Sequence, residues 1–153
     1  MNEQPEKPIR ILFVCQANMC RSPMAGIIAR EIGGDSIEAD TAGVAPAMGP
    51  IFPDTRIYVR ELLGVDLAAH EPRHVLEFPV ASYDYIIAMD SSVFMALTEM
   101  REIPQDKLYG WDIPDPCGLG ASAYERTARA IETNLERFLQ NRDMEKTYKG
   151  GTS

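Results

Sequence analysis

The sequence predicts an α/β domain built on a parallel sheet with helices on both faces. Three observations carry this prediction. Strand-like and helix-like patterns alternate along the chain in the order βαβαβαβα, which calls for crossover helices between parallel strands. The first apolar run, Ile9-Arg10-Ile11-Leu12-Phe13-Val14, is nearly continuous, as in a strand covered on both faces. The Gly- and Pro-rich stretches 42–53 and 111–120 each follow a strand pattern and do not interrupt one.

Residues 1–8 read as a polar lead-in, 9–141 as a single domain and 142–153 as a frayed tail. After the strand Ile9 to Val14, Ser22 suits a helix cap and Pro23 the first helical position. Met24, Ile27, Ile28 and Ile32 recur at helical spacing, and Gly33-Gly34 stop the helix. Ser36 to Thr41 is a short second strand, and Ala42 to Pro53 a loop. Asp54 is expected to cap a helix carrying Ile57, Val59, Leu62 and Leu63, which Gly64 ends. Tyr83 to Met89 is the next central strand. Asp90-Ser91-Ser92 supplies caps for a helix over Val93 to Met100. Lys107 to Gly110 is an edge strand and Trp111 to Gly120 a second loop, with Tyr109 and Trp111 anchoring it. The last helix aligns Tyr124, Thr127, Ala128, Ile131, Leu135, Phe138 and Leu139 on one face.

Composition excludes several classes. The 153 residues carry a formal net charge of -8, and without a basic run the chain is not expected to bind nucleic acid. No apolar run approaches the roughly 18 residues of a membrane helix, and no apolar leader segment precedes the domain, so a cytoplasmic protein is expected. The three cysteines, Cys15, Cys20 and Cys117, are odd in number and read as reduced thiols. The only histidines, His70 and His74, show no metal-ligand spacing with any cysteine, so neither metal nor cofactor is expected. His74 reads as a surface residue.

The informative segment is Cys15-Gln16-Ala17-Asn18-Met19-Cys20-Arg21-Ser22, which joins the first strand to the first helix. In an open α/β sheet, ligands bind beyond the carboxyl ends of strands. Backbone N–H groups of Gln16 to Arg21 can curl inward around an anion, and the following helix N-terminus favours negative charge. Arg21 adds a planar fork for two phosphate oxygens. The same field favours thiolate over thiol at Cys15. A thiolate beside a phosphate-sized cradle suits covalent phosphoryl transfer through a cysteinyl-phosphate. Ser22 can donate a hydrogen bond to the sulfur, and Asn18 tolerates left-handed backbone angles. A leaving alkoxide or phenolate needs a proton. Asp115, between Pro114 and Pro116, is the candidate acid, with Asp112 its rival.

Val14 to Pro23 resembles the signature of the low-molecular-weight protein tyrosine phosphatases. Asp115-Pro116 resembles that family's late acid motif, Thr41-Ala42-Gly43 its Ser-Ala-Gly turn, Pro53-Asp54-x-Arg56 its helix start, and Met89-Asp90 a motif after its third strand. The resemblance implies a four-stranded parallel sheet with flavodoxin-like winding. It implies Cys15 as nucleophile, Arg21 as phosphate clamp and Asp115 as acid and then base. Gln16, Ala17, Asn18, Met19, Cys20, Arg21 and Ser22 would line the phosphate site, with Thr41 and His70 in support. It implies no metal. Phosphotyrosyl protein or a small aryl phosphate would be the substrate and inorganic phosphate the product. Cys20 would be able to trap Cys15 as a disulfide under oxidation. Five places depart from the family pattern: Ala17 for glycine, Met19 for a branched residue, Gly26 for glutamate, Cys117 for an aromatic, and the loop around Ala47-Met48, where the family often has a Trp or another aromatic. Phe52 and Tyr124 are the aromatics left to wall a ring, with Met48 a further substrate contact. A protein-arginine phosphatase with the same loop chemistry, or a phosphate-binding module of weakened catalysis, are the alternatives. Arsenate reductase is disfavoured, because residues 75–100 contain no cysteine.

Overall fold

The computed structural model describes residues 7–141. Most of the expected lead-in and all of the expected tail therefore lie outside the described residues. Four strands form one parallel sheet: β1 (Ile9–Cys15), β2 (Ile37–Gly43), β3 (Tyr85–Ala88) and β4 (Leu108–Gly110), in the order β2-β1-β3-β4. The helices are α1 (Arg21–Gly33), α2 (Pro53–Leu63), α3 (Ser91–Thr98) and α4 (Ala121–Asn141). The expected flavodoxin-like α/β architecture is the one observed.

β1 is central and buried on both faces, which its uninterrupted apolar run requires. Alternate side chains serve two cores. Ile11 and Phe13 pack with α1, α2 and α4, while Leu12 and Val14 pack with α3, Val75 and Tyr83. The strand order reverses beside β1, so the carboxyl ends of β1 and β3 flank the crevice where such sheets bind ligands. Cys15 is the last residue of β1.

Several boundaries differ from expectation: β3 is trimmed at both ends to Tyr85–Ala88, α3 spans Ser91–Thr98 and not Val93 to Met100, and β4 starts one residue late at Leu108. α1 begins at Arg21 with Cys20 at the cap, and no side chain caps it. Ser22 lies inside the first turn because its hydroxyl is committed to Cys15 and Asn18. α2 begins at Pro53, so Phe52 takes the cap position and Asp54 sits in the first turn, where its charge still complements the helix dipole. β2 runs on to Gly43, since backbone pairing with β1 continues to Cys15↔Gly43. By contrast, Asp90 caps α3 as expected, its Oδ1 accepting from the Val93 amide at 2.8 Å. Between α2 and β3 lie short 3-10 turns at Leu67–Ala69, Val75–Glu77 and Val80–Ser82. His74 is a working cap and not a plain surface residue: its Nδ1 accepts from Leu76, and Glu77 accepts from the His74 amide. Tyr109 and Trp111 anchor the second loop, with Trp111 against Phe13 and Phe138. No helix among the described residues is long and apolar enough to cross a membrane.

Tyr83 precedes β3 and is 1 % exposed, with its hydroxyl donating to Asp40 Oδ2 on β2 at 2.5 Å. Burial, then the Asp40 bond and charge, hold its phenol well above the ordinary tyrosine range. Replacing Tyr83 by Phe removes this tie between β2 and the entry to β3. Urea unfolding of Tyr83→Phe is expected to show a loss of about 1 kcal/mol.

Candidate active site

The segment Gln16–Cys20 wraps into a loop between β1 and α1, and its carbonyls are held on the outside. Val44 donates its amide to Cys15 O at 3.1 Å, Ala45 to Gln16 O at 2.8 Å and Ala47 to Ala17 O at 3.1 Å. His70 Nε2 lies 2.8 Å from Asn18 O; a carbonyl only accepts, so Nε2 carries the hydrogen. In a planar trans peptide the C=O and the following N–H point in opposite directions. Outward carbonyls at 16, 17 and 18 therefore turn the amides of Ala17, Asn18 and Met19 inward, as an anion-binding nest requires. Gly43 permits the close approach of this outer layer, since a Cβ there would lie 2.9 Å from Gln16 O.

Asn18 is the hub. It is the only non-glycine residue among those described with positive φ, at 58°. Its Nδ2 donates to Ser22 Oγ at 2.8 Å and to Thr41 Oγ1 at 3.1 Å. Its Oδ1 accepts from the Arg73 amide at 3.0 Å, which can only donate and so fixes the orientation of the Asn18 amide. Its own N–H donates to Cys15 Sγ at 3.2 Å. Ser22 Oγ lies 3.0 Å from the same sulfur and accepts from Asn18; its one hydrogen has two acceptors in reach, Ala42 O at 3.3 Å and the sulfur, and an ionised sulfur is the stronger of the two. Cys15 is 3 % exposed and lies at the floor of the loop. Ala17 stays outside the left-handed region, so its departure from glycine carries no backbone cost.

Arg21 opens α1 with a nearly buried side chain. Its Nη1 donates to Asp90 Oδ2 at 2.7 Å and to Ile113 O at 3.1 Å. Both contacts use Nη1, which leaves Nε and Nη2 as the edge able to take two oxygens. Burial opposes charge on Asp90, but the Val93 amide and Arg21 outweigh it and hold the carboxyl below the usual range. Asp90 is thus both the α3 cap and the anchor of the guanidinium. Only the first of these roles was expected; an acid immediately beyond a central strand, facing the Cys15 loop, was the available signal.

The second loop continues β3's pairing, with Trp111 N on Ala88 O and Ile113 N on Met89 O, each at 2.8 Å. Thr127 of α4 holds Pro114 O at 3.1 Å. Asp115 follows, exposed, its Oδ1 accepting from the Cys117 amide at 3.1 Å. Since Ile113 O contacts Arg21, Asp115 is tied within about 7 Å along the chain of a residue that touches the guanidinium. Tyr124 is not a wall for a ring. It is 1 % exposed, and its hydroxyl lies 2.6 Å from Thr55 Oγ1 and 3.6 Å from Cys20 Sγ. Phe52 is half exposed and Met48 almost fully exposed.

An open α/β sheet whose central strand ends in an amide-lined Cys-x5-Arg loop defines a cysteine-loop phosphatase. A family model described as low molecular weight phosphotyrosine protein phosphatase matches residues 10–148, and the chain belongs to that family. It is 31% identical over 156 residues to the low molecular weight protein-tyrosine-phosphatase YfkJ of Bacillus subtilis, covering 90% of this chain and 98% of that one. Among solved structures, a low molecular weight protein tyrosine phosphatase from T. tengcongensis superposes with a TM-score of 0.74 at 29% identity, over 87% of this chain and 99% of that one. The YwlE arginine phosphatase from Geobacillus stearothermophilus superposes with a TM-score of 0.75 at 26% identity, over 95% of this chain and 100% of that one.

Burial pushes the Cys20 thiol up to about 11, against the lowering effect of its Thr55 and Tyr124 contacts. Because the folded value is raised, the contribution to stability is full below pH 9.0 and is lost as pH rises toward about 11. Urea unfolding at pH 8 and at pH 10.5 is expected to show a parent loss exceeding that of Cys20→Ser by on the order of 2 kcal/mol.

Proposed function

We propose that this phosphatase hydrolyses phosphotyrosyl proteins and related aryl phosphate monoesters through a cysteinyl-phosphate on Cys15. The observation that carries the reading is the Asn18 amide donating to the Cys15 sulfur, with the Ser22 hydroxyl 3.0 Å from the same atom and able to turn its hydrogen onto an ionised sulfur, at the floor of an inward-facing amide loop. Both hydrogen bonds stabilise a thiolate as attacker and again as leaving group.

In the first step the sulfur attacks phosphorus in line with the aryl oxygen; an S–P bond forms and the P–O bond breaks. Arg21 Nε and Nη2 and the loop amides take the equatorial oxygens, whose charge is spread in a loose transition state. Asp115 gives its proton to the departing phenolate. In the second step its carboxylate takes a proton from water as that water attacks phosphorus. The S–P bond breaks, inorganic phosphate leaves, and the thiolate is restored. Gln16 to Cys20 supply the cradle, while Thr41 and His70 hold Asn18 in place. The described residues contain no metal-holding cluster of acids, cysteines and histidines.

A second reading, hydrolysis of phosphoarginine, draws on one observation. Tyr124 is withdrawn into the core and Cys117 stands where an aromatic is usual, so ring-stacking surface at the mouth is reduced. Against it, Met19 is buried and apolar, with no polar group to offer a guanidinium phosphate.

The test is turnover of a phosphotyrosyl and a phosphoarginyl peptide in EDTA by the parent, Cys15→Ser and Asp115→Asn. Cys15→Ser is expected to be inactive on both. Asp115→Asn is expected to lose about 10²- to 10³-fold in kcat on the phosphotyrosyl peptide, the usual worth of a general acid, and far less on an activated aryl phosphate. Higher parental kcat/KM on phosphoarginine would select the second reading. Phosphate binding without turnover by the parent would mark a binding module.

A further inference from the structure

We propose that Gly26, in the middle of α1, is a positioning residue for the active loop: its missing side chain makes room for the Thr41 methyl and so keeps the Thr41 hydroxyl on Asn18. The inference rests on the phosphatase reading above and deepens it. A Cβ at Gly26 would lie 2.7 Å from Thr41 Cγ2, well inside the contact distance of two carbons. The next neighbours, Arg30 Nη1 and Nη2, would stand at 3.5 and 3.6 Å, ordinary contacts at the end of a flexible side chain. Thr41 is therefore the one obstacle.

The backbone at Gly26 is plain helix, so the role of the glycine is space and not a special φ. Glycine is among the weakest helix formers, and its place in the middle of α1 calls for a packing reason. Thr41 supplies one. Its Oγ1 and Cγ2 hang from the same Cβ, so pressure on the methyl turns χ1 and swings the hydroxyl with it. That hydroxyl accepts from Asn18 Nδ2 at 3.1 Å, and the same Nδ2 donates to Ser22 Oγ. The path from Gly26 to the Cys15 sulfur is thus Thr41, Asn18 and Ser22, each link a contact or hydrogen bond.

This arrangement has a built-in control. Exchanging glycine and threonine for alanine and serine at the two positions moves one methyl across the seam between α1 and β2, with no change in atom count. The serine keeps the hydroxyl, and the alanine fills the vacated space. If Gly26 acts by making room, its substitution is harmful only while Thr41 keeps its methyl.

The experiment is a double-mutant cycle of Gly26→Ala and Thr41→Ser, read two ways: kcat/KM on p-nitrophenyl phosphate, and the rate of Cys15 alkylation by iodoacetamide, quantified on its own peptide by mass spectrometry. In the parent background Gly26→Ala is expected to lower kcat/KM about tenfold, mainly in kcat, and to slow the alkylation. In the Thr41→Ser background the same change is expected to cost less than about twofold. Equal cost in both backgrounds would overturn the proposal and place the damage in a displaced helix. So would no cost in the parent background. If Gly26→Ala alone fails to fold, a folded and active double variant supports the proposal and an unfolded one overturns it. A parent without turnover would instead sink the phosphatase reading, while the alkylation arm would still measure the coupling.

Discussion

One left-handed asparagine organises this molecule. With φ at 58°, Asn18 turns the chain sharply enough to return to α1 while its N–H faces the Cys15 sulfur. That conformation is costly for a residue with a Cβ. It persists because the surroundings over-determine it: Thr41, Ser22 and Arg73 take up the side-chain amide, and His70 takes the carbonyl. The partners come from β2, α1 and the segment after α2, so the loop is shaped by the whole fold and not by its own sequence. The connection between α2 and β3 runs through short turns that carry His70 and Arg73 to Asn18. Its task is to deliver an imidazole and one backbone amide to fixed points behind the loop.

Electrostatics is organised just as locally. The chain carries a net charge of -8, so nothing in its overall field draws an anion in. On the proposed reading, attraction comes from inward amides, the start of α1 and the Arg21 guanidinium. The guanidinium is itself tethered by Asp90 and Ile113 through a single nitrogen. A tether on one edge holds the fork in register with the loop and leaves the opposite edge to the ligand, so little ordering remains to be done on binding. Because Ile113 belongs to the loop carrying Asp115, the same contact links the clamp to the candidate acid.

Legibility in the sequence divides along physical lines. β1, the loop and α1 were readable because an apolar run buried on both faces and a Cys-x5-Arg spacing are local signals. Asp90 as a cap was readable for the same reason, but its bond to Arg21, 69 residues away in sequence, was not. Ser22 looked like a cap because serine before Pro23 usually is one; tertiary demand from Cys15 and Asn18 took its hydroxyl instead. β2 was cut short at Thr41, since backbone pairing continues where side-chain pattern fades. The turns between Leu67 and Ser82 are not legible because they show no periodicity; single side chains, Asp66 and His74, cap the first two, and no side chain caps the third. Tyr124 was offered as a ring wall although its helical spacing with Ile131 and Leu135 already placed it on the buried face.

The fate of Tyr124 bears on how this phosphatase selects its substrates. Its hydroxyl braces Thr55 of α2 and Cys20 of the loop, and burial, the largest cause, pushes its pKa above the ordinary tyrosine range so that it remains a neutral hydrogen-bonding group. An aromatic engaged in this way stiffens the joint between α2, α4 and the loop but offers nothing to a ring outside. The aromatic position after Asp115-Pro116 is the small, exposed Cys117. The large apolar side chains exposed on these loops are Phe52, half exposed, Leu119 on the loop that carries Asp115, and the unbranched thioether of Met48. A flexible thioether adapts to many shapes and discriminates weakly among them. On the proposed reading, selectivity would rest more on the charge of the loop, with buried, apolar Met19 inside it, than on a fitted slot for a phenyl ring. Under the proposed mechanism such a site would separate phosphate esters by how closely the phosphoryl group reaches the Cys15 sulfur and by how well Asp115 meets the leaving atom, and only secondarily by the shape of what that atom is attached to.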